Sequence, residues 1–190
     1  MSRLYIGLVH YPVLNKKGEI IQTSVTNLDI HDIARSAATF GFKNYFIITP
    51  DVTQQEYISK VIGFWRSETG QTYNAHRSRA LSIVKITDSI ESSIKQITTQ
   101  EAMSPIVITT TARHMNQQIS FDELVRLNNA DRPLLILLGT GYGLTDNIHS
   151  EADFILQPIK GAGDFNHLSV RSAAAIILER MTSAVYKGRY

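Results

Sequence analysis

Six short apolar runs recur along the chain: Leu4–Val9, Tyr45–Thr49, Leu81–Ile86, Ile106–Thr110, Leu134–Leu138 and Phe154–Leu156. Most are unbroken blocks of Ile, Leu and Val, not alternators, and a strand of that kind has to be covered on both faces. Helical patterns with start signals lie between them. Thr53–Glu56 and Ser120–Glu123 have capping-box spacing, and Asp88–Glu91 is an acidic variant of it. Behind these starts, Ile58/Val61/Ile62/Trp65, Ile90/Ile94/Ile97 and Leu124/Leu127 keep the three-to-four spacing of one apolar face. A last helix, about Val170 to Ala184, turns Ala173, Ala174, Ile177 and Leu178 inward. Strand and helix in repeated alternation predict an α/β fold, a mainly parallel sheet with helices on both faces. Without a repeat, linker or low-complexity tract, residues 1–190 form one domain, and Ser67–Arg79 is expected to be a long polar loop.

Composition narrows the class. A chain of 190 residues buries about 70% of its unfolded surface and needs no staples. It has no Cys, which excludes disulfides, thiolate metal sites and a Cys nucleophile and agrees with a reducing compartment. The longest apolar run, Leu134–Leu138, is far below the roughly 20 residues of a membrane span. The first run is soon broken by His10 and Pro12, unlike a signal peptide. The expectation is a cytoplasmic protein off the membrane. The formal charge of +2 neither demands nor excludes nucleic acid. The six His have no metal-ligand spacing, so no metal is expected.

In a parallel sheet, ligands sit beyond the carboxyl ends of the strands. Thr109-Thr110-Thr111-Ala112-Arg113 follows one strand, Gly139-Thr140-Gly141-Tyr142-Gly143 the next, and Gln157 through Gly163 the third. All three turns are rich in Gly or Thr. The glycine spacing is not the dinucleotide fingerprint, and no Gly-Lys-Ser/Thr completes a phosphate loop. Two readings stand for the glycines alone: backbone approached by a ligand, or a tight turn with Thr145 or Asp146 capping a short helix.

The segment from Ala152 favours the first reading. A strand ends in Pro158-Ile159, a loop with Gly161 and Gly163 follows, and His167-Leu168-Ser169-Val170-Arg171 opens an Ala-rich helix. This resembles the closing motif of the SPOUT (α/β-knot) RNA methyltransferases, and Leu137 through Asp146 resembles the motif before it. The resemblance implies a deep trefoil knot over about residues 105–185, an exception to the usual rules of chain connection. It also implies S-adenosylmethionine held mostly by main-chain groups. The implied cofactor walls are Thr109, Thr110 and Thr111; then Leu138, Gly139, Thr140, Gly141 and Gly143; then Leu156, Ile159, Gly161, His167, Leu168 and Val170.

A second stretch, Asp29 through Gly41 with Arg35 and Phe40, is similar to a motif of the ribose 2′-O-methyltransferase branch. There the Arg helps activate the 2′-hydroxyl, and the site is completed across a homodimer. From the residues alone, Arg35 lies off the core stripe Ile30/Ile33/Ala34/Ala37, free to reach a cleft or to pair with Asp32 at i,i+3. Asp29 stands where the branch has Asn, His31 where it has Gly, His167 where the closing motif has Ser, and Ser169 where it has Asn. His167 is a candidate general base or a packed wall of the pocket. Trp65, Arg66, Tyr73, His76, Arg77 and Arg79 mix cations with aromatics. They suit either RNA or solvent, with Arg66, Tyr73, Arg77 and Arg79 as RNA-binding candidates. The implied function is S-adenosylmethionine-dependent methylation of RNA, at a ribose 2′-hydroxyl of tRNA, with Arg35 and His167 as catalytic candidates. The alternatives are methylation at guanine N1 with Asp164 or Asp146 facing the methyl group, and a non-catalytic nucleotide- or RNA-binding module.

Overall fold

The computed structural model describes residues 3–128, 131–163 and 165–186. In chain order the elements are β1 (Leu4–Val9), β2 (Val13–Leu14), β3 (Ile20–Ile21), α1 (Asn27–Thr39), β4 (Asn44–Ile48), α2 (Val52–Arg66), α3 (Glu68–Tyr73) and α4 (Ala75–Leu81). They continue as β5 (Val84–Thr87), α5 (Ile90–Glu101), β6 (Ile106–Thr110), β7 (Gln118–Ile119), α6 (Phe121–Asn128), β8 (Leu134–Gly139), α7 (Asp146–Glu151), β9 (Phe154–Leu156) and α8 (Val170–Tyr186).

Unbroken apolar strands find the double cover they require. Seven strands pair in the order β5-β4-β1-β8-β6-β9-β7, every neighbouring pair parallel. Because side chains alternate along each strand, Leu4, Ile6 and Leu8 enter one core with Ile30 and Ile33 of α1, Ile58 of α2 and Leu178 of α8. Tyr5 and Val9 enter the other, with Phe46, Leu135, Leu137 and Ile97 of α5. Each fully buried Leu or Ile contributes about 1.5–3 kcal/mol to that burial. A small antiparallel hairpin, β2–β3, covers the second face beside Leu144.

Local chemistry corrects several sequence expectations. The capping box at Ser120–Glu123 forms: the Ser120 hydroxyl accepts from the Glu123 amide at 3.2 Å, and the Glu123 carboxylate accepts from the Ser120 amide at 2.7 Å. The other two boxes do not, because earlier or better-placed oxygens take the cap. Asp51 accepts from the amides of Thr53 and Gln54, and Ser89 from that of Ser92. The expected strand Leu81–Ile86 begins only at Val84, because Leu81 is buried as the last residue of α4. Ser67–Arg79 is not a loop but two short helices, capped by Ser67 on the Gly70 amide and Asn74 on the Arg77 amide. Gly70 lets α3 close on α2, where a Cβ would stand 2.3 Å from the Phe64 carbonyl oxygen.

Candidate active site

Parallel pairing brings the carboxyl ends of β8, β6 and β9 side by side, so the three Gly- and Thr-rich turns share one edge of the sheet. Side-chain bonds brace the first of them and tie it to the second. Thr110 Oγ1 donates to the Leu137 carbonyl at 3.0 Å, Gln118 Nε2 to the Arg113 carbonyl at 3.0 Å, and Arg113 Nη2 to Asp146 Oδ1 at 3.0 Å. The glycine turn is braced on its other flank by the β2–β3 hairpin. Tyr142 N donates to the Leu14 carbonyl at 2.8 Å, and Leu14 N to the Gly143 carbonyl at 2.9 Å. Thr140 Oγ1 reaches both the Val9 carbonyl, at 3.0 Å, and the Thr23 hydroxyl.

Gly141 and Gly143 hold φ of +60° and +103°, where an L side chain is strained. A Cβ on Gly141 would meet the Leu14 carbonyl oxygen at 2.8 Å, while one on Gly143 would meet nothing within 4 Å. Gly141 therefore faces the hairpin, and Gly143 faces open space.

Two buried histidines stiffen this end. His149 Nδ1 lies 2.9 Å from Thr109 Oγ1, and His10 Nδ1 lies 3.0 Å from Thr23 Oγ1; the Nε2 of each is buried without a partner. Burial pushes His10 down to about 4 and holds His149 below its usual value, so both are neutral at neutral pH.

A separate groove of about 600 Å³ opens between α1, α2 and α4. Arg35 lines it, with His31, Tyr57, Lys60, Phe64 and Arg77. The Arg77 guanidinium stacks 4.8 Å over the Trp65 ring, and the His31 ring stands edge-on to Trp65 at 5.7 Å.

Residues 3–183 match the family described as S-adenosylmethionine-dependent RNA methyltransferase. The chain belongs to this family. An uncharacterized protein of Aquifex aeolicus is 38% identical over 96% of this chain and 89% of its own length. A tRNA (guanine-N(1)-)-methyltransferase of Oleidesulfovibrio alaskensis is 40% identical over 94% of this chain, which spans only 41% of that protein.

Among solved structures, a probable methylase family protein of Haemophilus influenzae shares the fold at a TM-score of 0.65 and 15% identity, over 99% of this chain and 69% of its own. The TrmH/SpoU tRNA modifying enzyme of A. aeolicus follows at 0.59 and 13%, over 99% and 78%. A protein solved for insight into 2-OH methylation of C/U34 on tRNA scores 0.58 at 17%, over 98% and 97%. At these identities the likeness is one of fold: a SPOUT-type α/β domain with a mainly parallel seven-stranded sheet.

For a methyltransferase of this family, the cofactor-wall candidates divide by what their side chains do. Those of Thr109, Leu138 and Leu156 lie in the interior, leaving only main chain to face a ligand. Ile159 and Val170 pack partly against the core. Thr111 caps its own turn by accepting from the Arg113 amide at 3.1 Å. Gly161, His167 and Leu168 are exposed. The His167 ring lies 5.6 Å from that of Phe165, itself 79% exposed.

The groove that Arg35 lines includes no residue of the three turns. Arg35 does not pair with Asp32, whose carboxylate lies 3.7 Å from Arg171 Nε. Of the RNA-binding candidates, Arg66 is committed elsewhere, donating to the carbonyls of Leu81, Ser82 and Val84 at 2.9–3.3 Å. Tyr73 and Arg79 are exposed, and Arg77 lines the groove. Asp164 lies outside the described residues, and Asp146 is held by Arg113. No metal-binding cluster of His or carboxylates occurs among the described residues, and no described helix is long and apolar enough to cross a membrane.

Sequence reasoning missed Arg171. It donates to Asp29 at 2.8 Å, pinning the start of α8 to the start of α1. The signal was the acid at Asp29 where the related motif has Asn: a carboxylate that is 7% exposed needs a cation.

Proposed function

We propose that this domain transfers a methyl group from S-adenosylmethionine to a ribose 2′-hydroxyl of tRNA, acting in the cytoplasm as a homodimer. The observation that carries this reading is Arg35: a fixed cation on the matched α1 motif, open to the groove, with no carboxylate within 4 Å among the described residues.

The proposed cofactor walls are the main chain of Thr109, Thr110, Thr111, Leu138, Gly139, Thr140, Gly141, Gly143 and Leu156, together with Ile159, Gly161, His167, Leu168 and Val170. Open space beside Gly143 and the shared edge of the three turns fit an adenosine-bearing ligand gripped by peptide groups. The cofactor supplies an electrophilic methyl group when bound. The chain's part is to position the acceptor and ease loss of its proton. Arg35 lowers the pKa of the 2′-hydroxyl and stabilises the negative charge that develops on its oxygen. Exposed His167 is available to take the proton.

With Arg35 in a groove that includes no residue of the three turns, the proposed catalytic centre is assembled isologously, with Arg35 serving the second copy's cofactor. The deep knot over about residues 105–185 belongs to the same proposal, supported by the closing motif and by the likeness of fold.

The test is to incubate the protein with methyl-labelled S-adenosylmethionine and unmodified tRNA, then identify the labelled nucleoside by mass. A 2′-O-methylnucleoside is the expected product. A methylated base overturns the ribose assignment. No transfer by a folded protein that binds the cofactor overturns catalysis in favour of a binding module.

A further inference from the structure

α1 and α2 each carry a second stripe that the core does not use. On α2, Ile58, Ile62 and Trp65 turn inward, yet Tyr57 and Phe64, seven residues apart, remain 40% and 50% exposed. On α1, Ile30 and Ile33 are buried while His31 and Arg35 line the opposite flank. Lying side by side, the two stripes form the groove of about 600 Å³, a size suited to one small ligand.

Its chemistry is one-sided. Arg35, Lys60 and Arg77 line it against the single carboxylate of Asp32, whose charge Arg171 already shares. Its walls are aromatic, and His31 Nδ1 is buried there without a hydrogen-bond partner. Burial, with the charges of Arg77 and Arg35, holds His31 below its usual pKa. It is therefore neutral at neutral pH and able to donate to or accept from a base edge.

We infer that the groove holds one unpaired nucleotide of the RNA substrate, its base against Tyr57, Phe64 and His31 and its phosphates on Lys60 and Arg77. Aromatic faces with guanidinium and ammonium groups are how proteins hold unstacked nucleotides, and the charge balance favours a polyanion over a second copy of this net-positive chain. A base seated there leaves its ribose beside Arg35. This inference rests on RNA being the substrate class and names where one nucleotide of it binds.

Trp65 is the only tryptophan, so its fluorescence reports on the groove alone. Titration of the intact protein with a short oligouridylate is expected to quench it saturably. Lys60→Ala, at an exposed position, should weaken the apparent affinity about fivefold or more at low salt. Arg77→Ala should weaken it further, and Lys60→Gln separates charge from any repacking around Trp65. Absence of quenching overturns the inference. So does equal quenching by dextran sulfate, which has charge but no bases, or a signal that follows protein concentration alone, which marks the groove as covered by a second copy. Saturable quenching without methyl transfer leaves the groove standing and removes the proposed reaction; methyl transfer without quenching does the converse.

Discussion

The two candidate regions are built from opposite materials. At the ends of β6, β8 and β9 the side chains of Thr109, Leu138 and Leu156 turn inward, so these three positions offer a ligand mainly peptide groups, beside the glycines of the β8 turn. The groove is lined by side chains of α1, α2 and α4, chiefly rings and charges, with Leu28 and Val61 as its aliphatic members. A backbone site is indifferent to most truncations but intolerant of an added Cβ. A side-chain site tolerates additions at its rim and fails when a cation is removed. The first suits a constant cofactor and the second a variable, unstacked nucleotide.

Substitutions can break this contrast. The largest effect is expected from Gly141→Val. It places a β-branched residue at φ +60° with its Cβ 2.8 Å from the Leu14 carbonyl, costing about 3–4 kcal/mol in urea denaturation from left-handed strain plus a backbone clash. The surviving folded fraction should lose S-adenosylmethionine binding by calorimetry yet keep the Trp65 response to oligouridylate. Loss of both responses together would mean that the regions are not separate.

Acid comes next. Buried His10 has a folded pKa near 4, below its unfolded value of 6.5. Between these values the unfolded chain binds more protons, so stability falls as pH drops through that window, by on the order of 3 kcal/mol. His149 and His31 shift in the same direction. His10→Asn, which keeps a polar atom near Thr23, should flatten this acid limb more than His31→Asn does in the half-exposed groove. Equal flattening would erase the difference between the two regions.

A smaller loss, about 2 kcal/mol, is expected for Arg171→Ala, which leaves the Asp29 carboxylate buried without its cation. Adding Asp29→Asn should recover part of it. If the double substitution is no more stable than Arg171→Ala, the ion pair is not what ties α8 to α1.

Much of the sheet was legible because continuous Ile/Leu/Val runs admit few environments, and Leu4–Val9 and Phe154–Leu156 lie where the runs are. Strand limits moved where a helix claimed the same residues, as Leu81 did in α4. Ser67–Arg79 misled because its polarity is that of two short capped helices, stabilised by Gly70 packing on α2, a contact with no local pattern. The glycine turn was legible through its need for positive φ. That Gly141 faces Leu14 and Gly143 does not depends on a hairpin more than a hundred residues away. The groove was hidden for a similar reason. Its stripes become one surface only when α1 and α2 lie together, and Arg66, counted with the RNA contacts, is drawn off by three carbonyls at the end of α4 and in β5.

As proposed above, main chain at the three turns grips the cofactor. Hydrogen exchange followed by mass spectrometry, with and without S-adenosylmethionine, reads those amides directly. Protection should appear in peptides covering 109–111, 138–143 and 156–170 and leave α2 unchanged. Protection confined to α1 and α2, or none at a cofactor concentration that supports methyl transfer, would contradict the account.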